Sequence, residues 1–568
     1  MNNILKYSYP AKNFQEALPI GNGRIGGMVY GGVDKDRISL NETSFWAGNP
    51  KIDTIHGSPD VYNKAKELVL EGKYYETQQL LDRHFSGDYA QRYLALASLF
   101  IEPYNKDRDP LPPYLIPQVC GPQEATEYSD YKRSLDMENG IHTVSYISKG
   151  DIYKREYFVS KPDNIMVIRL TSNKEQSIQI GFDSIMQNYV TSVKDALILR
   201  TIAPVGMINY ETLEEYDLYS ECDEEKGMRA IAGVKVVTNG TQKISNNLIK
   251  ATGTDIMLLV STQTSYVDYK THPYTNGKDE LKLCLDDIAA ASLKSFEELK
   301  EAHIADFSAL YNRTELFLEN DDLASDADSL LTDLNNNSIY TILFNYGKYL
   351  TISSSRMGGQ PMNLQGIWNE KSFAPWYSDY HLNINAQMNY MPTVKLNLDE
   401  CFEPYITLTK ELAETGKVIA KEWFGIDGTI ANSTTDMWRQ ANPPGKSKEN
   451  NCVFSYFPVS LGWMLQALYE RYELTVDREF LKHTLYPLLE QYAETLIKLL
   501  HTDNNGVMYL TPATSPENNY IIGENIRCSI GKFSEIFNAI TRDVFRMASK
   551  SAELLSIPEK AKRYAEYK

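Results

Sequence analysis

The side chains of this chain that can do chemistry gather in its later half. Asparagine, histidine, tryptophan and acidic residues crowd a few short stretches, and these carry Trp368, Trp376 and Trp438. Such loops build the pocket of a helical barrel, so the clustering favours a concave ligand site over ordinary loop punctuation. Carboxyls and carboxamides on loops are the equipment of glycosidic bond cleavage, which needs a protonated acid at the leaving oxygen and an activated water opposite. Other chemistries lack their residues. No phosphate-cradling glycine loop follows a strand, and no Gly-x-Ser-x-Gly elbow occurs. His-x-x-x-His and Cys-x-x-Cys spacings are also missing, so neither a metal nor another cofactor is expected.

The elements that must position these residues change character along the chain. Its 568 residues allow two to about four domains. Up to about residue 265 the apolar residues alternate, as in Thr143 to Ile147 and Ile152 to Val159 around a Ser-Lys-Gly-Asp turn at 148–151. Many strands and turn clusters predict a large antiparallel sandwich. From Leu281 to Tyr311 the period becomes helical, and Ile339, Leu343, Tyr346 and Leu350 predict an apolar helix stripe. Pro404 is expected in a first helical turn, Asp477 as an N-cap, and Phe533, Phe537, Ile540, Val544, Met547 and Ser551 on another helix. The reading is a multidomain α+β chain: a sandwich over 1–275, a helical linker over 276–335, and a helical barrel over 336–568.

Composition narrows the partners. Basic residues number 57 against 75 acidic ones, and the net charge of −18 repels nucleic acid phosphates. Apolar runs fall far short of the roughly 20 residues a membrane span needs. The six cysteines lie far apart, which favours free buried thiols over a disulfide framework. The opening MNNILKYSYPAKNFQ lacks a basic segment followed by an apolar one, so a cytoplasmic location is expected. Tyrosine is abundant, with 39 copies, but it suits sugar stacking and sheet surfaces alike and decides nothing.

Five blocks in order carry a more specific signal: ALPIGNGRIGGMVYGGVDKDRISLNETSFWAGNP (17–50), SSSRMGGQPMNLQGIWNE (353–370), WYSDYHLNINAQMNY (376–390), TTDMWR (434–439) and TPATSPENNY (511–520). Together they resemble glycoside hydrolase family 95, which contains inverting α-L-fucosidases and related α-L-galactosidases. The resemblance implies an N-terminal β-sandwich, a helical linker, an (α/α)6 barrel and a C-terminal β domain. It implies hydrolysis of terminal α-L-fucose from oligosaccharides, with a fucosylated glycan as partner and no cofactor.

Residue by residue, Glu517 matches the family's general acid, which partial burial beside Pro516 would help keep protonated. Asn383 and Asn385 match carboxamides that hold the attacking water; an extended segment would put both on one face. His381 matches the position at the sugar's C5 substituent, histidine resembling the fucosidases and threonine the galactosidases. Trp376, Asp436 and Arg439 resemble pocket-lining positions. Gly21, Gly23, Gly26 and Gly27 form a hairpin in the family pattern, and Asn41, Glu42 and Trp46 are read as architectural. Departures fall at Met391, Ala467 and Arg471, where the family commonly has a tryptophan and histidines.

A carboxamide is a poor base, and the resemblance couples the pair to an aspartate expected beyond residue 568. About seven helices are countable from Ile339 to Lys568, short of the roughly twelve that close such a barrel, so the barrel is expected to be incomplete. Two rivals to fucoside hydrolysis follow: an inactive carbohydrate-binding remnant and an α-L-galactosidase. A phosphorylase would need a basic phosphate pocket, which the sequence around Glu517 lacks.

Overall fold

The computed structural model describes residues 3–50, 57–104, 127–205, 225–318, 327–332, 336–446, 448–523 and 525–568. It forms two compact units, the first from Met1–Pro50, Arg92–Pro375 and Leu396–Pro404, the second from Lys51–Gln91, Trp376–Lys395 and Tyr405–Lys568.

The first unit is built on strands β1 (Ile4–Tyr7), β2 (Leu18–Gly21), β3 (Ile25–Val29), β4 (Asp36–Glu42), β5 (Ala97–Pro103), β6 (Tyr128–Asp136), β7 (Ile141–Ser148), β8 (Asp151–Ser160), β9 (Ile165–Asp183), β10 (Asn188–Val193), β11 (Ala196–Ile202), β12 (Arg229–Thr238), β13 (Gln242–Ser245) and β14 (Leu248–Thr264). All pairings are antiparallel, in the order β1-β6-β7-β8-β9-β14-β12-β11-β10, with β2 to β5 joined through β5 and β9. The expected hairpin is β7–β8, where Ser148 pairs with Asp151 and Lys149 and Gly150 take φ of 52° and 83°. That doubly left-handed turn matches the strand twist. Strand β9 joins two layers: its first half pairs with β8 and its second with β5, and β14 shifts register beside it between Gly253 and Asp255. A bulge there lets a long strand bend from one layer into the other. Strand β4 is buried along its whole length.

The glycines of the first block make the β2–β3 hairpin, with Gly21 opposite Gly26. A Cβ on Gly21 would stand 2.5 Å from the Ser353 carbonyl, so only glycine fits. Asn41 acts as architecture: it donates to the Asn369 carbonyl at 2.9 Å and accepts from the Asn369 amide at 3.0 Å.

The helical period after the sheet resolves into Glu280–Ala291 and Phe296–Tyr311, started by Asp279 and by a Ser295/Glu298 capping box. Cys284, Ile288 and Leu299 close the core formed by Phe158, Val167, Ile198 and Leu259. The next helix, Ser338–Ser354, keeps part of the expected stripe, with Tyr346 and Leu350 packed against the core, and corrects the rest. Leu343 is exposed, and the inward face is Thr341, Asn345, Lys348, Tyr349 and Ile352. Polar bonds turn it: Lys348 donates to the Tyr311 and Thr314 carbonyls at 2.8 and 2.6 Å, and Asn345 to Asn3 at 3.1 Å. Burial pushes the Lys348 ammonium down to about 8.

The second unit is helical, with Pro59–Leu70, Tyr74–His84, Asn385–Lys395, Ser460–Thr475, Tyr486–Leu499, Glu535–Leu554 and Pro558–Ala565 among its elements. It also takes the larger part of Asp399–Phe424, inside which Pro404 falls well past the first turn. The expectation for Pro404 fails because the helix starts earlier, and the ring there costs the bond to the Glu400 carbonyl. Asp477 does cap, accepting from the Phe480 amide at 3.0 Å. Ser460–Thr475 and Glu535–Leu554 meet at Gly462, where a Cβ would lie 2.6 Å from Ile540. Phe537, Ile540, Val544, Met547 and Ser551 are buried as expected, whereas Phe533 is exposed, because the helix starts after it behind the Ser534 cap.

Cys284, Cys401, Cys452 and Cys528 are buried free thiols, and Cys120 and Cys222 fall outside the described residues. No helix of the described residues is long and apolar enough to cross a membrane.

Candidate active site

Two short strands organise the site, β15 (Tyr380–His381) and β16 (Thr434–Thr435), paired antiparallel so that His381 lies opposite Thr434. The turn entering β15 is unusual. Trp376, Tyr377 and Ser378 all take positive φ, at 49°, 59° and 48°. Three successive non-glycine residues in this region cost about 1–2 kcal/mol each, which the surrounding contacts must offset. The Asp379 amide closes the turn on the Trp376 carbonyl at 3.3 Å, and the Tyr377 ring stacks on Tyr89 at 5.8 Å. As a result Trp376 is 63% exposed, an aromatic face held out to solvent.

Beyond His381 the chain curls. Gln387 donates to the Leu382 carbonyl at 2.7 Å and the Met388 amide to Ile384 at 2.9 Å, making a turn that runs into helix Asn385–Lys395. The extended segment expected for Asn383 and Asn385 is therefore corrected: Asn383 sits in the turn and Asn385 opens the helix. Strand alternation does not set the two amides. The Asn383 Oδ1 atom is buried without a hydrogen-bond partner among the described residues, while its Nδ2 faces Glu517 Oε1 at 3.5 Å, the outer limit of a hydrogen bond.

Glu517 lies on a loop whose base is fixed by paired Ala513–Gly531 backbone bonds at 3.0 and 2.9 Å and by Thr514 donating to the Tyr456 carbonyl at 2.6 Å. A tight turn follows, closed by the Asn518 amide on Ser515 at 2.7 Å. The expected partial burial of Glu517 is not found; the residue is exposed. The turn carries it outward, and among the described residues Asn383 is its hydrogen-bond partner.

His381 is half-buried and its Nδ1 is hydrogen-bonded to the buried carboxylate of Asp379. Burial alone would pull the imidazole down, but the Asp379 charge and hydrogen bond, with a further contribution from Glu517, outweigh it and hold His381 above its ordinary range. Asp379 in turn is pushed up by burial and drawn back by His381.

Residues 295–567 match the glycosyl hydrolase family 95 catalytic domain, and residues 5–269 match the glycosyl hydrolase family 65 N-terminal domain. Residues 295–567 belong to glycoside hydrolase family 95. The chain is 29% identical over 570 residues to "Alpha-L-fucosidase 2" of Arabidopsis thaliana, covering 97% of this chain and 65% of the relative. It is 28% identical to "Probable alpha-fucosidase A" of Aspergillus niger, covering 88% and 61%. The chain thus spans somewhat under two thirds of the length of these relatives. A solved structure named as a kojibiose phosphorylase, from human microbiome, superimposes with a TM-score of 0.59 at 10% identity over 99% of this chain and 69% of that one, a likeness of fold alone.

Within this family 95 domain, Asp436 and Arg439 occupy the turn after β16 with their charged groups bonded inward. Asp436 Oδ2 accepts from the Gln91 amide at 2.6 Å, and Oδ1 from the Trp438 and Gln440 amides at 2.8 and 3.4 Å. Burial pushes its carboxyl up to about 6, and the backbone donors pull the other way. Arg439, 1% exposed, donates to Glu411 at 2.7 Å and to the Asp436 and Met437 carbonyls at 3.1 Å each. Hydrogen bonding and charge link His381, Asn383 and Glu517 directly; Trp376 adjoins them through the turn before β15, and Asp436 and Arg439 through β16. Sequence reasoning missed Asp379, Gln387 and Glu411. Asp379 had a signal: two residues before His381, it would lie on the same face in an extended segment.

Proposed function

We propose that the chain carries the acid and water-positioning side of an inverting α-L-fucosidase acting on terminal fucose of oligosaccharides. The observation that carries this reading is the approach of Asn383 to Glu517, 134 residues apart, within the family 95 segment. The relatives' names, α-L-fucosidase and α-fucosidase, support the sugar.

In this reading Glu517 transfers its proton to the glycosidic oxygen as the C1–O bond breaks, and water adds to C1 from the opposite face. The buried Oδ1 of Asn383 is an acceptor without a partner, suited to a hydrogen bond from that water. Asn385, at the start of the following helix, supplies the second carboxamide. The proton lost by the water goes to a carboxylate, since an amide is too weak a base; the family resemblance assigns this role to an aspartate. His381 borders the C5 substituent, with Trp376 beside it as a sugar-stacking face.

The test is the anomer released. On an α-L-fucoside, NMR at early times should show β-L-fucose before mutarotation. Initial release of α-L-fucose would overturn the water-positioning roles, and hydrolysis of α-L-galactosides in preference to α-L-fucosides would overturn the substrate.

A further inference from the structure

Asp379 is the buried acid of this site that no role above uses. It is 2% exposed in side chain, yet it sits at the junction of two groups that face the sugar. Its carboxylate is bonded to His381 Nδ1, and its backbone amide closes the left-handed turn that holds out Trp376. Among the described residues that bond to Asp379 is the one hydrogen bond of the His381 ring. A carboxylate taken out of water at such a place must be compensated, and here the compensation comes from a ring that carries a proton on Nδ1.

Resting on the proposed fucosidase reading, we propose that Asp379 is the positioning residue of this site: it fixes the orientation and tautomer of His381, leaving Nε2 as the ring atom presented to the sugar beside Asn383 and Glu517. An imidazole whose Nδ1–H is held by a carboxylate cannot turn over or move its proton to Nε2 without breaking a charge-assisted bond. In the neutral ring Nε2 is then an acceptor, and in the charged ring a donor. The charged groups acting on the ring are Asp379 and Glu517, so its protonation follows the state of both. A purely structural pair would neutralise a buried charge and leave the chemistry at Nε2 immaterial.

The experiment uses the purified protein with 15N-labelled histidine. Long-range 1H–15N spectra across pH should show His381 titrating above its ordinary range and losing its proton to give the Nδ1–H tautomer. The Nε2–H tautomer in the parent protein would overturn the proposal without any variant. In Asp379→Asn the titration should fall by about one unit or more, as expected for loss of a neighbouring opposite charge. kcat/KM on an α-L-fucoside should drop by up to about 10²-fold, the scale of a misplaced site group. Asp379→Glu, which keeps the charge, should retain the raised titration and an intermediate rate. An unchanged titration in Asp379→Asn, or a lowered titration with unchanged kcat/KM, would overturn the positioning role. A parent protein that acts on α-L-galactosides in preference to α-L-fucosides would instead remove the functional reading, so the two failures are distinguishable.

Discussion

Replacing Glu517 by glutamine tests the acid role with the least disturbance to the fold. Glu517 is exposed and its described hydrogen bond is the 3.5 Å approach of Asn383 Nδ2 to Oε1, which a glutamine oxygen can accept equally well. Stability should therefore change by less than about 0.5 kcal/mol, as for surface substitutions generally. The rate should not be spared. General acid catalysis is worth about 10²- to 10⁴-fold, or about 2.7–5.4 kcal/mol of barrier at about 1.36 kcal/mol per tenfold. That loss applies in full where the leaving group is a sugar alkoxide, which cannot depart without a proton. An aryl α-L-fucoside with an acidic phenol needs far less help, so its kcat should fall much less while KM stays near the parent value. The assay is kcat and KM for Glu517→Gln on a fucosylated oligosaccharide and on an activated aryl fucoside. An unchanged rate on the oligosaccharide would refute the acid assignment. Equal losses on both substrates would refute it differently, by showing that Glu517 shapes the pocket without donating a proton.

Two further outcomes follow from neighbouring groups. His381→Thr should lower kcat/KM on α-L-fucosides and raise it on α-L-galactosides, with a change in ratio of about 10- to 200-fold, the range for a small substituent in a shaped pocket; an unchanged ratio rejects the specificity role. Asp436 is a carboxyl raised from 3.8 to about 6 by burial, so between those values the folded protein holds a proton that the unfolded chain has lost, and the stability it contributes falls as pH rises. Asp436→Asn removes that titration. The stability advantage of the parent over the variant, from chemical unfolding, should therefore shrink by about 1.4 kcal/mol from pH 5 to pH 8; a difference that does not vary with pH would refute the assignment.

The fold was legible where local periodicity and tertiary packing agree. The β7–β8 hairpin, the Asp477 cap and the inward face of Glu535–Leu554 follow from spacings of two and of three to four residues, and each is present. Helix Ser338–Ser354 agreed only in part, at Tyr346 and Leu350. Its hydrocarbon stripe promised burial at Leu343, but Lys348 and Asn345 find carbonyl and amide partners that turn the polar side inward. A periodicity argument prices apolar burial and cannot see acceptors that come from distant segments. Pro404 failed for a related reason: a proline tolerated early in a helix is also tolerated later when packing offsets one lost bond.

At the site the balance reverses, because its residues lie on loops whose shape no period specifies. Asn383 and Glu517 are 134 residues apart, and only the family resemblance, not any spacing, could bring them together. Treating His381 to Asn385 as one extended segment missed the Gln387 side chain, which caps the Leu382 carbonyl and curls the chain into a helix. The same blindness misjudged which acid is buried. Glu517 was expected to gain its protonation from partial burial and is exposed, whereas Asp379 and Asp436, at one end of the β15–β16 pair, are buried carboxyls. The division has a chemical logic. Asp436 is committed to backbone amides and Asp379 to His381, while Glu517 stays exposed. In the proposed reading, an acid that must meet a large leaving group has to remain open to solvent until substrate arrives.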